Sequence, residues 1–355
     1  MYHWLRTSAL CCLALLAGVM PVAAQTPTPA PPPRASTPPI RRWLDVQSLL
    51  AAARFRFTEN STDRVTVSDL QWQTQFRGRF LFDQAGRYTI GSFVTTGPTF
   101  RSGWNYSGAG LNREIHPLKV RQLYVGATPV KSLELQAGGL AVNRGELSDV
   151  IASDNDSFFI GERVTVRPAH GAITQLSASA GHFDAVGEPN FFTQIDDAGD
   201  FNYGQALVGF KLGPRALASV DYTYENGRDI LREGVTLRVP SRVKLLTLLR
   251  LELYQRVDPD HAQGFNTSAD FRLHKLAATV GVMSTDRSYG PFNGDRWELG
   301  SHYYYSLTYP LTPSLALNLY HTRAFDIGFP ITLKERFDFV ATYNPTAHLK
   351  RKGIF

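Results

Sequence analysis

The sequence predicts an all-β chain folded as a transmembrane, antiparallel, up-and-down β-barrel of about 16 strands, with short periplasmic turns and longer extracellular loops. Three observations carry that prediction. The stretch 69–97 is a long alternating strand that turns back on itself. Short and long breaks then alternate along the rest of the chain. The chain also opens on an export leader, after which there is neither a cysteine nor a run of about 18 apolar residues.

In the opening hairpin, Leu70, Trp72, Thr74, Phe76, Gly78, Phe80 and Phe82 occupy every second position. Between them stand Gln71, Gln73, Gln75, Arg77, Arg79, Leu81 and Asp83. Successive side chains of a strand point to opposite faces, so the pattern gives one oily face and one wet face. A soluble strand usually has about 5–6 residues, whereas a tilted barrel strand takes about 9–11 to cross a bilayer. The run 70–82 suits the second length. Its polar face is too rich in Gln and Arg for a sandwich core and suits a water-filled lumen. After a turn at 83–86 the chain returns as RYTIGSFVTTG.

Taken in order, residues 1–24 are a signal peptide: Arg6, an apolar run over 9–19, and Val22-Ala23-Ala24 before Gln25. Both cysteines, Cys11 and Cys12, lie within it, and Leu10 stands where a lipoprotein signal needs Gly or Ala. Residues 25–40 are a Pro-rich linker that favours polyproline II. The barrel is expected over 41–343, with 344–355 as a C-terminal tail or closing strand. Seven short breaks punctuate it, at 83–86, 128–131, 168–171, 213–214, 240–241, 274–275 and 311–313. Eight longer connections run over 58–65, 98–116, 144–159, 184–201, 226–230, 257–264, 286–295 and 326–331. Together they join sixteen strands, an even number, as bacterial barrels require. Alternation recurs at 265–273 and 243–253, and weakens at 160–167 and 172–183. Trp43, Phe57, Trp297, Tyr303, Tyr305, Tyr309, Tyr320 and Tyr343 lie near strand ends, as aromatic girdles do.

Composition and motifs exclude several function classes. The formal charge of +6 falls to +5 without Arg6, and the excess is too dispersed for nucleic acid. There is no metal-ligand spacing, no phosphate-binding loop and no marked nucleophile, so no cofactor and no enzymatic activity is expected. His321 with Asp326, or His182 with Asp184, could share an outer rim as in barrel lipases or proteases, but spacing alone does not make a site.

The candidate functional residues belong to the lumen. Arg54, Arg56, Gln73, Gln75, Arg77 and Arg79 fall on inner faces of adjacent strands and are expected to line a pore. Glu162, Asp221 and Glu252 are among the acids expected on the same face. The connection 144–159, RGELSDVIASDNDSFF, carries Glu146, Asp149, Asp154 and Asp156. Folded inward, it would narrow the lumen and set acid against base across a constriction, where charged side chains govern selectivity.

The whole chain after its leader resembles a Gram-negative outer-membrane porin of the sixteen-strand type. Its segments ELQAGG, NRG and SFFIGER, within 134–163, resemble the phosphate-selective porin group, and the final Phe355 is similar to the aromatic ending read by barrel-insertion machinery. The segment RFDFVATY (336–343) alternates better than the residues after it. The resemblance implies a passive channel for small hydrophilic solutes or ions, set in outer-membrane lipid, with a third external loop folded into the pore; a homotrimer is the compatible assembly. Counting charges on the inner faces adds a weak anion preference. A plugged or structural barrel, a barrel enzyme and a soluble secreted β-protein are the alternatives.

Overall fold

The computed structural model describes residues 43–97, 103–111, 115, 117–152, 157–183, 190–240, 245–259, 261–286, 300–325 and 333–355. The expected leader and Pro-rich linker lie outside these residues, as do Asp154, Asp156, Asp184, Lys244, Trp297 and Asp326.

Among the described residues, seventeen strands form one sheet. They begin with β1 (Leu44–Asn60), β2 (Val65–Leu81), β3 (Tyr88–Thr95), β4 (Asn105–Gly110), β5 (Lys119–Val130) and β6 (Leu133–Ala141). Next come β7 (Phe158–Val166), β8 (Ile173–His182), β9 (Tyr203–Lys211), β10 (Ala216–Glu225), β11 (Arg228–Arg238) and β12 (Leu246–Arg256). The last are β13 (Gln263–Leu273), β14 (Leu276–Thr285), β15 (Gly300–Pro310), β16 (Leu315–Ala324) and β17 (Leu333–Tyr343). Sixteen of these are the staves of a closed antiparallel barrel, sealed where β1 pairs with β17 through Ala53↔Ala341 and its neighbours. A closed sheet presents no open edge, the condition a bilayer imposes on strands. The odd one out is β4, which pairs back on β2 through Gln71↔Tyr106 and Trp72↔Asn105, while β3 pairs directly with β5. It lies inside the connection 98–116, where no alternating pattern announces it.

The founding hairpin turns because Asp83 ties it. Its carboxylate accepts hydrogen bonds from the Arg87 amide (2.6 Å), the Tyr88 amide (3.1 Å) and the Arg87 guanidinium (2.9 Å). Gly86 supplies the left-handed residue, φ +66°.

Which face points inward follows from Ser219 and Glu252, which bond to the chain segment lying inside the barrel. Ladder register carries that assignment around the wall. On β2, Asp69, Gln71 and Gln73 are buried inside, whereas Leu70 and Phe80 are 47% and 45% exposed outside. Two expectations are corrected. Glu162 faces outward: it stands opposite Ala137 and Ala180, and its neighbour Arg163 takes the inner position and bonds Ser179 at 3.1 Å. In a weakly alternating strand the adjacent Glu and Arg cannot share a face, and the pattern gave no parity to choose between them. Tyr320, opposite Asp338, faces inward rather than joining an outer aromatic girdle; Leu317, Leu319 and His321 take the outer positions of β16.

Residues 344–355 add no strand. They hold a short helix, Thr346–Arg351. β17 ends at Tyr343 opposite Ala51, leaving residues 44–50 of β1 without a partner on that side. The Thr346 hydroxyl accepts from the Leu49 amide at 2.7 Å and donates to the Leu49 carbonyl at 3.4 Å, standing in for the missing ladder. Asp45 joins Arg79 (3.0 Å) and Lys350 (3.4 Å) beside it.

Candidate functional site

The connection between β6 and β7 runs along the inner wall, held at successive staves. Arg163 of β7 bonds the Ala141 carbonyl, and the Gln205 amide of β9 donates to the Asn143 carbonyl at 2.7 Å. The Glu146 amide donates to the Ser219 hydroxyl of β10 at 2.8 Å. Gly145 makes that approach possible: its φ is +56°, and a Cβ there would stand 2.7 Å from Ser219. On β12, Glu252 accepts the Ser148 amide and, at 2.7 Å, the Ser148 hydroxyl. Asn266 of β13 donates to the same carboxylate at 2.8 Å. Buried carboxylates are costly unless their oxygens are satisfied, and this one is occupied by the loop and its neighbouring stave. Beyond Ser148, Val150 and Ile151 enter an apolar seat made by Ile230, Tyr254, Ala262, Met283 and Tyr304.

Across the interior, Arg56 of β1 forms a two-point ion pair with Asp338 of β17, at 2.9 and 3.1 Å. Arg336 shares that carboxylate at 2.5 Å, and Arg54 stands 3.6 Å from it while donating to Gln71 at 2.5 Å. Planar guanidiniums suit such shared recognition, since each presents a fixed fork of donors. Trp104, from the connection holding β4, lies over the Arg54 guanidinium with 4.1 Å to the ring centroid. Beneath it Arg54 is only 3% exposed.

Of the residues singled out by sequence, Arg54 and Asp149 border one space of about 410 Å³. Trp104, Ser148, Val150, Arg250, Thr279, Ser306, Thr308 and Asn318 also border it. Arg56 stands behind Arg54 on the same Asp338. Gln73 and Gln75 follow on β2, opposite Ala52 and Leu50. Arg77 and Arg79 belong to another level. Arg54 pairs with Gln71 and Arg77 with Ser48, so six residues, roughly 20 Å of strand, separate them. Arg77 stacks on Phe93 at 4.3 Å and Arg79 pairs with Asp45. Glu146 is held through its backbone amide at Ser219.

Sequence reasoning did not single out Trp104, nor the anchoring role of Glu252. Trp104 is one of three aromatics in an irregular connection, which has no periodicity to mark it out. Glu252 was legible as an inner-face acid, but its partner, Ser148, lies 104 residues away. Among the described residues, no group of three His, Cys, Asp or Glu side chains could hold a metal ion.

Solved structures of a bacterial porin share this architecture. Two engineered variants of the Rhodopseudomonas blastica porin superpose with TM-scores of 0.53 and 0.52 at 11% identity, covering 84% of this chain and 99% of theirs. An engineered protein described for asymmetric conductivity gives 0.51 at 10% identity, with 84% and 100% covered. At these identities the likeness is one of fold: this chain has the sixteen-stranded porin fold. No protein-family model matches the sequence, and no curated protein is significantly similar to it.

Proposed function

We propose that this chain is a porin-like channel of the bacterial outer membrane through which small hydrophilic solutes or ions diffuse passively, with a weak preference for anions. The observation that carries the reading is the loop 142–152, folded into a closed barrel and leaving beside it an open space bordered by charged and hydroxyl side chains together with Val150, Leu319 and Val340. A packed apolar interior would instead suit a structural barrel. In this reading Arg54, Arg56, Gln73, Gln75, Arg77 and Arg79 line the path, and Glu146, Asp149, Asp154 and Asp156 belong to the constricting loop. Residues 1–24 direct export, barrel-insertion machinery seats the chain, and a homotrimer is the expected assembly.

The anion preference rests on the inner wall. With Glu162 turned outward, one acid leaves the balance, and register adds Arg163, Arg232, Arg238 and Arg256 against Asp45, Asp69 and Glu225. Part of this charge is neutralised locally, as in the fully buried Arg232–Asp221 pair at 3.0 Å. Like-signed side chains in a narrow lumen concentrate counter-ions, and salt screens the effect over about 10 Å at 0.1 M. Purified protein in a planar bilayer should give stepwise conductance, and reversal potentials across a KCl gradient should favour chloride, more strongly at low salt. A folded barrel that gives no conductance steps would overturn the channel reading.

A further inference from the structure

Arg54 borders the interior space, yet only 3% of it is exposed. The guanidinium is gripped by Gln71 and Asp338 on its flanks and roofed by the Trp104 indole. Trp104 itself is only half-buried and borders the same space as Ser148, Asp149 and Val150. These two borders come from different connections. Trp104 stands over β1, while Ser148 is fastened to β12, six staves away around the wall through β17, β16, β15, β14 and β13. The interior is therefore narrowed from two sides, once by the anchored loop and once by an aromatic ring placed over a wall charge.

We infer that Trp104 is a specificity-determining residue: its indole both narrows the passage and screens the Arg54 guanidinium from permeating ions. The inference rests on the channel reading and deepens it. An aromatic face attracts the cation it covers through its quadrupole. The same ring is a low-dielectric layer between the guanidinium and water. Removing it should widen the path and let the charge act on solutes at short range, where fixed charge shapes selectivity most strongly. Arg54 is a safe partner for a mutational cycle, because Asp338 keeps Arg56 and Arg336 when Arg54 is replaced.

The test is a double-mutant cycle in planar bilayers on full-length protein, with KCl as the probe. Trp104→Ala should raise single-channel conductance and increase the chloride-to-potassium permeability ratio by about twofold at low salt. Trp104→Phe, which keeps an aromatic face over Arg54, should stay close to wild type in the ratio. In Trp104→Ala/Arg54→Gln the conductance gain should persist while the gain in chloride preference disappears. A general loosening of the barrel would move both quantities together and would not be reversed by Arg54→Gln. The inference fails if Trp104→Ala leaves conductance and selectivity unchanged in a conducting protein. It fails equally if the chloride gain survives in the double variant. If the alanine variant does not fold, Trp104→Leu supplies the same comparison. Absence of conductance from folded wild-type protein would strike the channel reading itself, which separates the two failures.

Discussion

Phe76 and Gln75 are adjacent, and the wall gives them opposite surroundings. Phe76 stands opposite Leu49 on the outer face, and Gln75 opposite Leu50 on the inner. Placing Arg at a lipid-facing position near the bilayer midplane costs about 2–4 kcal/mol. Phe76→Arg should therefore impair folding into detergent or lipid, while Gln75→Arg should be tolerated; heat-modifiable migration on gels reads both, and the reverse order would mean an inverted register. This parity was legible in the sequence because β2 alternates without interruption. Glu162 was not, because a strand whose two faces are both mostly small or apolar carries no parity signal. Nor could alternation reveal that Arg54 and Arg77 sit at different levels, since level depends on which residues of β1 each one faces.

Among the elements, one carboxylate ties the founding turn and another is one of several anchors of the inward loop. Glu252 fixes Ser148 by two hydrogen bonds, and bonds to a charged group are each worth about 1.5–3 kcal/mol net. Glu252→Ala should free that part of the loop, raising open-channel noise and protease cleavage within 142–152 while far-UV circular dichroism stays β-like; a silent variant would show that the Ser219 anchor and the Ile151 seat hold it without Glu252. The length and acidity of the loop were visible in sequence, and so was the prospect that it folds inward. Its path was not, because each anchor is a contact between residues far apart in the chain. At the turn, the Arg87 side chain, with the Arg87 and Tyr88 amides, holds the Asp83 carboxyl below its ordinary value near 3.8. A lowered folded-state pKa stabilises fully above the ordinary value and loses that contribution as pH falls through the lowered one. The stability difference between wild type and Asp83→Asn should accordingly be present at neutral pH and narrow below about pH 4, as followed by urea unfolding in detergent.

On the scale of the whole molecule, strand number and order could be read from the rhythm of short and long breaks, because a barrel's connections repeat with its staves. What escaped was how the closing strand ends. The tail was open to reading as a strand, yet Pro345 follows Tyr343 and Asn344 and cannot donate to a ladder. Thr346 closes the gap instead, and its role is testable. Thr346→Val removes both contacts to Leu49 and should cost about 1–3 kcal/mol against unfolding in detergent. Lys350→Ala, at a partly exposed ion pair, should change stability by less than about 1 kcal/mol. Equal effects from the two would assign the tail's contribution to charge. The seam itself has a consequence for time rather than for equilibrium. Ala53 meets Ala341, so the strand synthesised first waits for the one synthesised last. Closing so long a loop adds little in entropy, since that penalty grows only logarithmically with length. The waiting is the hazard, because until the last stave arrives both margins of the nascent sheet can pair with another chain. The same delay protects the finished wall. Neither end can be peeled away singly, and reopening requires the whole seam to part before any stave is released.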